Sequence, residues 1–223
     1  MAWTIIETCN FGKFFPNASL DEWRERMAAR LENEMTEEER AEFEGRAANY
    51  CLWISEKFRD CKGFLEEHEQ PHVLTTERYE KTLGDFLISE NGIRIVSAAF
   101  KSAVESVEPG VHQFWPMTVE STRGKVTPGT FFGMIVGQQR ASFSQAESDP
   151  ASFNPYSSPG GLKPPKNKKI IRGVALESAA IGDAHMWLEK ELWSLGVVIS
   201  DTLHAILEQQ GLCLPKVYEM REI

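Results

Sequence analysis

Ser97-Ala-Ala-Phe-Lys-Ser-Ala-Val-Glu-Ser-Val107, then Glu108-Pro-Gly110, then Val111-His-Gln-Phe-Trp-Pro-Met117, carries a helix, a stop and an aromatic strand in succession. Phe100, Val104 and Val107 recur at helical spacing and mark one apolar face. Ser97 stands where a side-chain oxygen can accept from the first free N–H groups of a helix. Pro109 and Gly110 stop that helix, because proline has no N–H to donate and glycine tolerates positive φ. Val111, Trp115, Met117 and Val119 then alternate onto one face of a strand. Pro116 cannot donate to a ladder, so this strand is expected at a sheet edge or a bulge. A helix delivered directly into an aromatic strand makes this a mixed protein.

The same reading extends in both directions. Upstream, Phe86-Leu-Ile-Ser89 and Ile93–Val96 flank the turn signal Asn91-Gly92, a hairpin pattern whose second run can also lead straight into the helix. Downstream, Thr122-Arg-Gly124 is a turn and Phe131 to Val136 a buried strand. Trp3 to Ile6 is a short strand and Phe11 to Phe15 an aromatic loop. Ser19 and Glu22, and again Thr36 and Glu39, have capping-box spacing. Leu20, Trp23, Met27 and Leu31 form a helical stripe, and the second helix, carrying Phe43 and Ala47, is expected to run past Gly45 toward Phe58. Ser142 to Asn167, with five prolines, Gly160-Gly161 and several serines, has no periodicity and reads as a loop, basic at its end through Lys163, Lys166, Lys168, Lys169 and Arg172. Order is expected to return at Ile170, with strands at Val174–Leu176, Val197–Ile199 and Lys216–Glu219 and a compact turn at Gly182–Trp187. A helix from Asp201 to Gln210 is capped by Ser200 and ended by Gly211. The fold class is therefore α+β: an acidic helical N-terminal part packed on a mixed or antiparallel sheet with flanking helices. Two regions are expected, 1–85 helical and acidic, and 86–223 α+β with the Pro-rich loop 142–167.

Charge sharpens that division. Of the net charge of −9, residues 21–90 contribute 19 Asp+Glu against 10 Lys+Arg, while residues 91–223 are balanced at 13 each. Such asymmetry steers a basic partner and repels phosphates, so nucleic acid is not an expected partner of the acidic part. No apolar run approaches the roughly 18 residues that span a bilayer. The N-terminal residues have no basic n-region or apolar h-region, and the cysteines at 9, 51, 61 and 213 form no Cys-x-x-Cys pair. A cytoplasmic protein without disulfides or a membrane partner is the expectation.

Residues for chemistry are sparse. No phosphate-binding glycine loop and no Gly-x-Ser-x-Gly elbow occurs. His68 and His72 are four apart, but Pro71 between them breaks a metal-binding helix face. Asp183 and His185 would share a face of a strand, a carboxylate-oriented base at most, with no nucleophile indicated. His112, a lone ring among aromatics, reads as a satisfied core or boundary residue. The expectation is no catalytic residue, no metal and no cofactor; a hydrolase-type enzyme using Asp183, His185 or His112 is the alternative.

Five segments occur in an order that resembles one bacterial family: Ile95-Val-Ser97 with Phe100, Glu108-Pro-Gly-Val-His-Gln-Phe-Trp-Pro116, Gly182-Asp-Ala-His-Met-Trp187, Ile199-Ser-Asp-Thr-Leu203, and Gly211-Leu212. It is an immunity-protein family of polymorphic toxin systems, formerly a domain of unknown function, and the resemblance spans about residues 86–218. It implies a cytoplasmic, non-enzymatic inhibitor that binds a cognate toxin or effector encoded nearby, in interbacterial competition of the type VI secretion or toxin-antitoxin kind. An effector adaptor or chaperone is a further reading, and a homodimer is compatible. The resemblance makes Pro109, Gly110, His112, Phe114, Trp115, Pro116, His185, Trp187, Ser200 and Asp201 structural motif residues. The acidic excess then points to Glu34, Glu37, Glu38, Glu42, Glu66 and Glu67 as the toxin-binding set, suited to a basic partner such as a nuclease whose substrate site they would occlude.

Overall fold

In the computed structural model the helix after Ser97 forms over Ala98–Val107 and the aromatic strand over Gln113–Ser121. The structure describes residues 1–8, 10–89, 92–156, 160–163 and 166–223. The first part of the chain runs β1 (Ala2–Ile5), β2 (Ala18–Ser19), α1 (Asp21–Asn33), α2 (Glu37–Glu42), α3 (Ala47–Asp60), β3 (Val73–Thr76), β4 (Phe86–Ile88), β5 (Arg94–Ser97), α4 (Ala98–Val107), β6 (Gln113–Ser121) and β7 (Phe131–Ile135). The second runs β8 (Gln139–Arg140), β9 (Phe153–Asn154), β10 (Gly160–Leu162), α5 (Lys168–Arg172), β11 (Ala175–Leu176), α6 (Ser178–Ile181), β12 (Met186–Glu189), β13 (Leu192–Trp193), β14 (Val197–Ser200), α7 (Asp201–Gln209) and β15 (Val217–Glu222). This is an α+β protein. Its contacts divide it into unit 1 (Met1–Cys9, Ala99–His112, Val136–Ile223) and unit 2 (Asn10–Ala98, Gln113–Ile135).

Unit 2 is built on a mixed sheet of order β2-β3-β6-β7-β5-β4. Strands from both sides of position 86 share it, whereas the charge of the chain divides at residue 90. The alternation along β6 places Trp115, Met117 and Val119 in the core; Val111 lies before the strand begins. They pack with Trp23, Met27 and Leu31 of α1 and Tyr50, Ile54 and Phe58 of α3. Gly133 of β7, paired with Trp115, leaves the space the indole fills: a Cβ there would lie 2.2 Å from it.

Three expectations are corrected in unit 2. Pro116 lies in an interior strand, not at an edge. Its nitrogen has the same parity as Thr118, whose N–H donates to His72 O, but the parallel ladder with β3 starts only at Val73–Thr118, so no donor is missed. Ser19 does not cap α1: it belongs to β2 and donates to Asp21, while Leu20 occupies the cap position. The helix opened by Thr36 stops at Glu42, because Glu44 and Gly45 take left-handed φ values of 53° and 64°, and α3 starts afresh. The Thr36–Glu39 capping box forms as expected. The Phe86 to Val96 hairpin forms as well and leads straight into α4; Asn91 of its turn signal lies outside the described residues, while Gly92 has φ 81°.

Unit 1 holds a six-stranded sheet of order β11-β15-β1-β14-β12-β8 and a three-stranded one of order β13-β10-β9. Phe100, Ala103 and Val104 are the buried face of α4; Val107 is half-buried. The Pro-rich segment contributes β9 and β10, and β10 pairs in parallel with β13, some thirty residues downstream. Its Pro159, Pro164 and Pro165 lie outside the described residues. Ser142, Ser144, Ser148 and Ser152 are buried, and Ser148 bonds Ser144 O and the Ala175 N–H. The chain around Ile170 is helical, over Lys168–Arg172, capped by Asn167, which accepts from Lys169 and Ile170. Of Gly182–Trp187 only Met186 and Trp187 are extended, within β12.

Candidate functional site

The acidic surface is assembled from the caps outward. Thr36 Oγ1 accepts from the Glu39 N–H at 3.2 Å and Glu39 reaches back to the Thr36 N–H at 2.8 Å, fixing the first turn of α2. The backbone and side-chain hydrogen bonds from Thr36 hold the Glu39 carboxyl below its ordinary range. Glu37, Glu38 and Glu42 are left exposed, with carboxylates that have no partner among the described residues. Glu34, at the end of α1, is bound by Arg30.

Glu66 and Glu67 sit elsewhere. A 3-10 turn over Glu67–Glu69 is tied down by buried Glu69, which takes Lys57 Nζ at 2.6 and 2.8 Å, while Lys57 lies 4.2 Å over the Trp53 ring. Trp23 Nε1 donates to Glu69 O at 2.7 Å, and Arg26 reaches His68 O and Gln70 O at 2.6 Å each. The turn is thereby held beside the first half of α1. Glu34 lies eight residues beyond Arg26, or about 12 Å along the helix. The six glutamates therefore form two groups, Glu34, Glu37, Glu38 and Glu42 in one, Glu66 and Glu67 in the other. Glu66 is 3.4 Å from His68; Glu67 has no side-chain partner among the described residues. Sequence reasoning passed over Glu25 and Glu32, exposed on α1, whose carboxylates equally have no partner among the described residues, though Arg40 donates to the Glu32 carbonyl. It also passed over Leu52 and Trp53 of α3, 54 % and 45 % exposed. Their departure from the Tyr50–Ile54–Phe58 spacing is the signal that could have found them.

The motif residues converge in unit 1 on one buried carboxylate. Glu108 follows α4 and is 8 % exposed. It accepts from His112 Nε2 at 2.7 Å, from the His185 and Met186 N–H groups at 3.0 Å each, and from the Gln138 amide. The Gly137 N–H donates to His112 Nδ1 at 3.1 Å, so the ring proton is on Nε2 and points at Glu108. His185 Nδ1 meets Ser200 Oγ at 2.8 Å, and that oxygen also accepts the Leu203 N–H as the cap of α7. Asp201 accepts from Trp3 Nε1 at 2.9 Å, and Trp3 stacks on His204 at 3.8 Å. Burial would raise the Glu108 carboxyl, but the hydrogen bonds from His112, the His185 backbone and Gln138 outweigh it and hold it below the usual carboxylate range. Gly110 takes φ 74° in the turn between Glu108 and His112, and Trp187 is fully buried one residue beyond Met186. Phe114, Trp115 and Pro116 belong to the unit 2 sheet. Glu108 itself was not singled out as a site residue: no local pattern shows that a carboxylate beside Pro109 will meet N–H groups 77 and 78 positions away.

Asp183 and His185 are not brought together as an acid–base pair. Asp183 is exposed, 4.0 Å from Arg140, while His185 bonds to Ser200. Both ring nitrogens of His112 are engaged. No group of three or more His, Cys, Asp or Glu able to hold a metal occurs among the described residues, and none of their helices is long and apolar enough to cross a membrane.

No curated protein matches this chain. A family model does, over residues 18–219, which takes in the Glu108, His112, His185 and Ser200 motifs as well as the acidic helices, and by that match the chain belongs to the Immunity protein family (Imm11).

Proposed function

We propose that this protein neutralises a cognate toxin by binding it through the acidic helical surface of unit 2, covering the toxin's substrate site. Membership of an immunity family supplies the role. The observation that carries the mode is the set of exposed carboxylates, Glu37, Glu38 and Glu42 on α2 with Glu25 and Glu32 on α1, that no cation of the described residues neutralises. Only Glu37 and Glu38, in the first turn of α2, gain locally from the helix N-terminus; as a set these like charges repel one another. The protein gains fast, selective capture of a basic partner. A nuclease fits this chemistry, because its phosphate-binding site is itself basic. In this reading residues 1–85 provide most of the toxin-binding surface, residues 86–223 the immunity-type scaffold, and the chain acts in the cytoplasm without catalysis.

The test is co-expression with the product of the neighbouring gene, scored for survival and then for a complex by pull-down. Survival with a stoichiometric complex is the expected result. Survival without a complex would overturn neutralisation by binding.

A further inference from the structure

Between α1 and α3 of unit 2 lies a cleft of about 520 Å³. Its walls are Ala28 of α1 and Ala48, Cys51 and Leu52 of α3, with Arg24 and Glu25 at the rim. The alanines keep the walls low, and Leu52 is more than half exposed although a helix surface has room for a polar residue there. Arg24 pairs with Asp21 at 3.2 Å. Glu25 faces solvent without a partner among the described residues, so the one unneutralised charge at the rim is negative. The cleft is thus apolar within and negative at its margin.

We infer that this cleft receives an apolar side chain carried on a cationic segment of the cognate toxin, an inference that rests on the toxin-binding role proposed above. Charge selects the occupant. A second copy of this chain would set one acidic helix face against another, which costs free energy. A segment with lysine or arginine on either side of a leucine, methionine or aromatic residue satisfies both parts of the site. The flanking charges meet Glu25 and the acidic helical surface around it and set the association rate, while the apolar side chain in the cleft sets the lifetime of the complex.

Binding of the purified product of the neighbouring gene to the full chain, followed by biolayer interferometry, tests this. Ala48→Phe fills the cleft and Leu52→Ser strips its apolar wall. Both positions are exposed, so both variants should melt with the wild type. Each is expected to raise Kd by about tenfold or more, through faster dissociation that salt does not alter. The triple variant Glu37→Lys, Glu38→Lys, Glu42→Lys is the reference for the acidic surface. If the wild type fails to bind, the toxin-binding reading falls and the cleft with it. If the wild type binds and the triple variant is weakened, while both cleft variants stay within about twofold of wild type, the cleft inference alone is overturned.

Discussion

Glu108→Ala removes the acceptor on which four donors converge, and its cost can be worked from the geometry. The His185 and Met186 N–H groups each lose a 3.0 Å hydrogen bond, and Met186 is fully buried, so no solvent replaces the partner. Gln138 keeps a bond to Met186 O at 2.9 Å, which lessens its loss. His112 cannot turn its proton elsewhere, because Nδ1 is occupied by the Gly137 N–H. At roughly 1–3 kcal/mol for each buried donor left without a partner, the Met186 N–H and the His112 Nε2–H bear the full cost and the half-buried His185 N–H part of it, and we expect about 4 kcal/mol for Glu108→Ala. Glu108→Gln retains one acceptor oxygen but sets an amide against the donors, and should cost about 1–2 kcal/mol. The assay is urea unfolding followed by far-UV circular dichroism, with hydrogen exchange at the amides of residues 185 and 186 as a local readout. A pH series adds a second constraint. Because the folded carboxyl is held below its unfolded value, its stabilisation is complete above the unfolded value, about 4.3 for glutamate, and is lost as pH falls through the folded one. The wild-type advantage over Glu108→Gln should therefore shrink in acid. A loss under about 1 kcal/mol in the alanine variant, with unchanged exchange at both amides, would refute the view that this carboxylate joins the motifs.

Gly133→Ala would place a Cβ 2.2 Å from the Trp115 indole, and we expect about 2–3 kcal/mol of destabilisation, read as a lowered melting temperature. Ser200→Ala removes both the cap of α7 and the partner of His185 Nδ1, for about 1–2 kcal/mol in the same assay. Glu189, whose carboxyl burial pushes up despite hydrogen bonds from Ser142, has the opposite sign to Glu108. Its contribution is present below the unfolded value and lost as pH rises through the folded one, so stability relative to Glu189→Gln should decline above the ordinary carboxylate range. The triple lysine variant at 37, 38 and 42 should slow toxin association at low salt, with a slightly lowered melting temperature because two cations then stand at the N-terminus of α2; equal association rates would sink the steering argument.

Features governed by neighbours three or four positions apart could be read from the residues alone. The Pro109-Gly110 stop, the alternation of Trp115, Met117 and Val119, the Thr36–Glu39 box and the Ser200 cap are all local, and all stand in the structure as read. The acidic excess needs only a count. Tertiary structure decided everything that depends on which distant segments meet. It let Pro116 occupy an interior strand by starting the β3 ladder two residues later, and it drew Ser19 into a strand opposite Thr75 instead of onto a helix. Within the Pro-rich segment it buried serines and paired Gly160–Leu162 with Leu192–Trp193. It divided the six glutamates into two groups by holding Glu69 beside Trp23 and Lys57. Above all it placed one carboxylate, Glu108, against His112, His185 and Met186. Periodicity and capping act over one or two turns of chain, whereas a buried charge is satisfied by whichever donors the topology carries to it, and no local pattern encodes that meeting.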